Sequence, residues 1–164
     1  MGVDFHVYVP DDKKNSHMSY TTFCDMRVMI ATKYLESKNV KEALKCLETF
    51  YNYDEEIREN FNNPDRVSHF QDLQYNSYER ILDKLDGLAG DDRVAEGLYI
   101  LLNKCDCDDF YSTYECEIIL RALEKVKGLL EPAEGRSKLI LEACEHFMTT
   151  LEYAVEKDGY VIAC

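Results

Sequence analysis

Residues 105–116, CDCDDFYSTYEC, hold four carboxylates, three cysteines and three aromatic rings. Three chemistries compete for this stretch. The first is a hard-cation loop, because such ions take several carboxylate oxygens at set spacings. Counted from Lys104 as position 1, Asp106, Asp108 and Glu115 fall at positions 3, 5 and 12 of an EF-hand loop. Yet Lys104 puts a positive charge where the first ligand belongs, and Asp109 stands where that loop needs its turn glycine. The second is a thiolate site. Cys105 and Cys107 form a C-x-C pair with Cys116 nearby. Zinc commonly asks for two such pairs, and here His17 or His146 would have to complete the set from afar. Acidic neighbours also raise a thiol's pKa, which counts against a nucleophile. The third is an acidic loop stabilised by the dipole of the helix it precedes. The third reading is preferred. No metal or cofactor is expected, with a divalent cation at this loop as the remaining alternative.

Elsewhere the chain offers little catalytic vocabulary. It contains no G-x-S-x-G, P-loop, G-x-G-x-x-G or H-E-x-x-H motif. Its histidines are His6, His17, His69 and His146, the last reading as a residue at the core's edge. With 32 acids, any paired-carboxylate assignment would be arbitrary. Twelve tyrosines and no tryptophan are a different signal. Tyrosine suits places where one end of the ring is buried and the other wet, interfaces included. Tyr51, Tyr53, Tyr75, Tyr78, Tyr111 and Tyr114 are the clustered ones.

The formal net charge is −13. Such a surface repels nucleic acid and anionic lipid and favours basic proteins or cations. The plainer purpose of this charge is solubility; the sharper one is imitation of a nucleic-acid backbone. Seven cysteines with no export signal read as thiols in a reducing compartment. The opening MGVDFHVYVPDD has no basic region followed by an apolar run, and His6 stands where a myristoylation pattern wants Ser or Thr. A cytoplasmic protein with no membrane span is expected.

The positioning elements follow from periodicity. VDFHVYV (3–9) alternates as a strand ended by Pro10, and DDKKNSH (11–17) reads as a polar loop. Ser19 can cap a first helix and Asn39 a second. Residues 51–63 read as a connection with at most a short helical turn. Asn63-Pro64 opens a third helix that Gly87 can end, and Asp91 or Asp92 caps a fourth. Ser112-Thr-Tyr-Glu115 is a capping box for a fifth. EPAEG (131–135) breaks it. The sixth runs from about Arg136 to Lys157 with Leu139, Ala143, Phe147, Leu151 and Ala154 inward, and YVIAC (160–164) is a short apolar tail. The two terminal strands should pair, since a lone strand leaves backbone groups unsatisfied. The expectation is therefore mainly α: one domain over residues 1–164, a bundle of about six helices with a small β element from the two chain ends.

Four stretches resemble blocks of a family. HMSYTTFCDMR (17–27) is similar to H-G-(S/A)-Y-S-x-F-x-x-x-R, and LLNKCDCDDFYSTYEC (101–116) to L-x-H-S-D-C-D-G-x-I-x-x-x-E-C. LEYAVEKDGYVIAC (151–164) resembles A-x-E-K-G-x-x-V-x-F, and the opening Met-Gly-(Leu/Val)-Asp is shared. Small uncharacterised proteins of bacterial and phage genomes carry these blocks in this order. The resemblance leaves residues 38–92 uncovered. It implies a site in which Asp4, His17, Tyr20, Arg27, Asp106, Cys107, Asp108 and Glu115 come together to bind a ligand or partner. The chain departs from the pattern at Lys104, in place of His, and Asp109, in place of Gly. Those departures weaken a metal role and suit Lys104 to an internal ion pair. The phage setting implies a small acidic inhibitor of a host defence or nucleic-acid-binding protein, and binding is expected rather than catalysis. The alternative is a ligand- or metal-binding module, or an enzyme, centred on His17, Arg27, Asp106 and Asp108.

Overall fold

The computed structural model describes residues 2–104, 109–130 and 134–164. Strands β1 (Gly2–Val9) and β2 (Asp12–Ser19) are followed by helices α1 (Tyr20–Ser37), α2 (Glu42–Glu59), α3 (Pro64–Ala89) and α4 (Arg93–Asn103). Then come β3 (Asp109–Tyr111), α5 (Thr113–Val126) with a 3-10 turn over Lys127–Leu130, α6 (Arg136–Glu156) and β4 (Tyr160–Ala163). The fold is mainly α; the described residues form six α-helices and one small antiparallel sheet in the order β2-β1-β4-β3. Among the described residues no helix is long and apolar enough to cross a membrane.

The two chain ends pair as expected: Phe5 lies opposite Ala163 and Val7 opposite Val161. The sheet is nonetheless larger than its ends. The expected polar loop at 11–17 is most of β2, which zips along the whole of β1 from Val9↔Asp12 to Gly2↔Ser19. Backbone pairing needs no apolar side chain. β2 is an edge strand and buries only Met18, so its lysines and asparagine face water, as edge strands require. The three-residue β3 pairs with β4 on the far edge.

Cap signals located most helix starts. Ser19 Oγ accepts the Thr22 N–H at 3.1 Å, and Asn63 stands before Pro64 with its side chain on the Arg66 N–H at 3.4 Å. Ser112 and Glu115 close the reciprocal capping box. Asn39 does something else. Its φ of 62° puts it in the left-handed position that ends α1, so it stops that helix instead of starting α2. The expected connection at 51–63 is helix as far as Glu59, its half-buried Tyr51, Tyr53, Asp54 and Ile57 facing α1 and α3. Gly87 does not end α3. On α6 Leu139 is 63% exposed, and Ile140 takes the inward place expected for it.

Asp92 is the N-cap of α4. Its Oδ1 accepts from the Val94 and Ala95 amides at 3.0 and 3.3 Å. Its Oδ2 accepts from the Tyr34 hydroxyl and lies 3.6 Å from Lys38 Nζ. Burial alone would raise its pKa; the Tyr34 bond and the two amides outweigh it and hold the carboxyl below 3.8. Asp92→Ala should therefore cost about 1–2 kcal/mol in urea unfolding at neutral pH. Because the folded-state pKa is depressed, this stabilisation is present above the unfolded value. It drains away as pH falls through the folded one, so the gap between wild type and variant should persist down to the ordinary carboxylate range and narrow as pH drops below about 3.8.

The core lies between the inner sheet face and α1, α5 and α6, where Val3, Phe5, Val7, Tyr111, Val161 and Ala163 meet the helices. A second layer of α2, α3 and α4 packs outside α1. Gly97 sets the approach of α4 to α5: a Cβ there would sit 2.7 Å from Ala122 Cβ and from the Ile118 carbonyl. On the outer sheet face the Tyr8, Tyr160 and Phe110 rings lean on one another at 5.2–5.3 Å.

Candidate functional site

The described residues among the expected site do not all converge. Asp4 and His17 are cross-strand partners on the outer sheet face. His17 Nδ1 donates to Asp4 Oδ1 at 2.6 Å, with the two side chains 63% and 57% exposed. A pair this wet contributes at most about 1 kcal/mol.

Arg27 is buried on α1, only 2% exposed. Its Nη1 donates to the Lys104 carbonyl at 2.7 Å and to the Leu101 carbonyl at 3.4 Å. The guanidinium lies 4.5 Å over the Phe23 ring. Those carbonyls are the C-terminal end of α4, where the helix dipole is negative and unpaired acceptors need a donor. Arg27 thus anchors the end of α4 to α1. His17 stands on the outer face of the sheet and Arg27 inside the helical layer.

Glu115 sits at the start of α5. Its Oε2 accepts from the Ser112 amide at 2.9 Å, and its Oε1 lies 3.1 Å from Lys104 Nζ. Lys104 also donates to the Phe110 carbonyl at 2.6 Å and approaches Asp109 at 3.6 Å. The internal ion pair expected of Lys104 is present, and it staples the end of α4 to β3 and α5. Asp106, Cys107 and Asp108 lie outside the described residues. Among the described residues no group of three or more His, Cys, Asp or Glu side chains could hold a metal ion. Cys116 is buried, and desolvation, with Glu115 adding to it, pushes its thiol up to about 12. That leaves it protonated and inert at neutral pH.

Tyr20, the first residue of α1, leads to the feature that sequence reasoning missed. It lines a groove of about 950 Å3 between α1, α2, α3 and the end of α4. Arg27 and Lys104 line it too, but both are held by the bonds just described. The α3 wall presents Asp72, Tyr75 and Glu79. Their i, i+3, i+7 spacing puts all three on one stripe. Neither carboxylate has an ion-pair partner among the described residues. Tyr75 is 62% exposed. Its hydroxyl bonds to Glu79, which raises the phenol's pKa and keeps it a donor. The opposite walls carry Asp25 and Asp54. Asp25 is 7% exposed and 3.2 Å from Arg136 Nη2; burial raises its pKa in spite of that arginine. Asp54 pairs with Arg58 at 2.6 Å.

The stripe's spacing was on view in the sequence, as was the tyrosine cluster around residues 75–78. What hid it was abundance. With 32 acids, nothing but the groove distinguishes Asp72 and Glu79 from carboxylates that merely face water. Comparison of the chain with family models, with curated proteins and with solved structures finds no match.

Proposed function

We propose that this chain is a small acidic cytoplasmic binding protein whose groove captures a basic segment of another protein. One observation carries the reading. Along one groove wall, two carboxylates without cationic partners flank an exposed tyrosine, while both cations of the lining are already bonded within the fold. A lysine or arginine side chain laid there gains two charge-assisted contacts and an aromatic face. The remaining negative charge of the chain steers such a partner in and repels free nucleic acid. In the setting that the family resemblance implies, the captured protein is a nucleic-acid-binding or defence protein of a bacterial host, and the chain is its phage-encoded inhibitor.

The test is anisotropy with a fluorescent lysine- and arginine-rich peptide at low and at raised salt. Asp72→Lys with Glu79→Lys should weaken binding about tenfold or more at low salt, roughly 1.4 kcal/mol or above. The same double reversal on the exposed face of α6, Glu145→Lys with Glu152→Lys, changes the net charge equally and should have much less effect. Equal losses from the two double variants would mean that total charge alone attracts the peptide, and the groove would lose its role. Affinity purification from bacterial lysate at both salt levels is the cellular counterpart, a basic partner being released as salt rises.

A further inference from the structure

We infer that the groove is selective for arginine over lysine, with a guanidinium lying flat on the Tyr75 ring between Asp72 and Glu79. The inference rests on the basic-segment reading above and narrows its ligand. Tyr75 holds one carboxylate about one helical turn to each side, so a planar cation centred on the ring has an acceptor beyond either edge. A guanidinium suits that geometry. It is planar, weakly hydrated and stacks on aromatic faces, while its N–H groups point outward in the ring plane toward the carboxylates. An ammonium is a compact, strongly hydrated point charge that reaches one carboxylate at a time and gives up more hydration to sit on a ring.

The molecule already uses this arrangement beside the groove. Arg136 lies 4.0 Å over the Tyr51 ring while bonded to Asp25, a groove residue, at 3.2 Å. Arg27 lies 4.5 Å over Phe23, also within this layer. The ring-stacked lysines stand at 4.9–5.6 Å from their tyrosine rings, and Arg66 stands at 5.6 Å from Phe70. The two shortest of the cation–ring contacts among the described residues are both made by arginines. Among the described residues no cation stacks on the exposed Tyr75 ring of the groove wall.

The experiment uses the full chain and two labelled peptides of one glycine-serine scaffold, with arginines in one and lysines at the same positions in the other. The arginine peptide should bind about fivefold or more tightly. Tyr75→Leu should weaken the arginine peptide several-fold more than the lysine peptide and so bring the two affinities together. Tyr75 is mostly exposed, so the variant should fold, and circular dichroism checks that it does. Competition on the unaltered protein needs no variant: Nα-acetyl-argininamide should displace the lysine peptide at lower concentration than Nα-acetyl-lysinamide does. Equal affinities for the two peptides, or a preference that survives Tyr75→Leu, would overturn the inference and leave the basic-segment reading standing. If neither peptide binds at low salt, both fall together.

Discussion

Phe147→Ala is expected to lower the unfolding free energy by about 3–5 kcal/mol. Phe147 is fully buried on α6 and is the ring through which the sheet and the helices meet. Its centroid lies 5.1 Å from Phe5 on β1, 5.4 Å from Phe23 on α1 and 6.5 Å from Tyr111 on β3. Phe5 and Phe23 close the triangle at 5.0 Å, edge to face. Four segments far apart in sequence therefore share one cluster. Truncation removes the transfer free energy of the ring and also leaves a hole. Phe5 and Tyr111 are tied into backbone ladders and cannot easily move into it. Urea denaturation followed by circular dichroism measures the loss, and Phe147→Leu, which keeps most of the volume, should recover more than half of it. A drop of less than about 1 kcal/mol for the alanine variant would mean that the sheet does not dock where described.

Arg27→Ala should cost about 3–4 kcal/mol, by a different mechanism. The carbonyls of Leu101 and Lys104 lose their buried donor, and the Phe23 face loses the cation stacked on it. Arg27→Lys keeps the charge but not the planar fork, so it should restore only part of the stability. The same pair of variants asks whether Arg27 acts on a ligand. As an anchor for the end of α4, it should change unfolding far more than it changes peptide affinity measured on folded protein. A variant as stable as wild type that no longer bound the peptide would move Arg27 from scaffold to binding surface.

The two predictions mark where reading the chain succeeds and where it stops. Helix starts were legible because capping is local chemistry. Ser19, Asn63, Asp92 and Ser112 satisfy amides two or three residues away. Most of the inward stripe of α6 (Ala143, Phe147, Leu151 and Ala154) was legible for the same reason, being a periodicity within one helix. β2 was not, because DKKNSHMS has no apolar alternation and is a strand only through its pairing with β1. Nor was the last half of α2, whose polar residues become helical by packing against α1 and α3.

For the site the division is sharper. Lys104 as an ion-pairing residue and Glu115 as a capping residue follow from neighbours within about a dozen positions. Asp4 with His17 needed a hairpin register, since a one-residue slip would turn one of them to the other face. The groove needed four helices at once. Composition by itself settles that the chain carries thirteen excess negative charges and twelve tyrosines. Which carboxylates remain unpaired, and which tyrosine stands open between two of them, was decided by packing. Helix crossings fix where each cation ends up: Arg27, Arg58, Lys104 and Arg136 find their partners elsewhere, and Asp72 and Glu79 keep no ion-pair partner among the described residues.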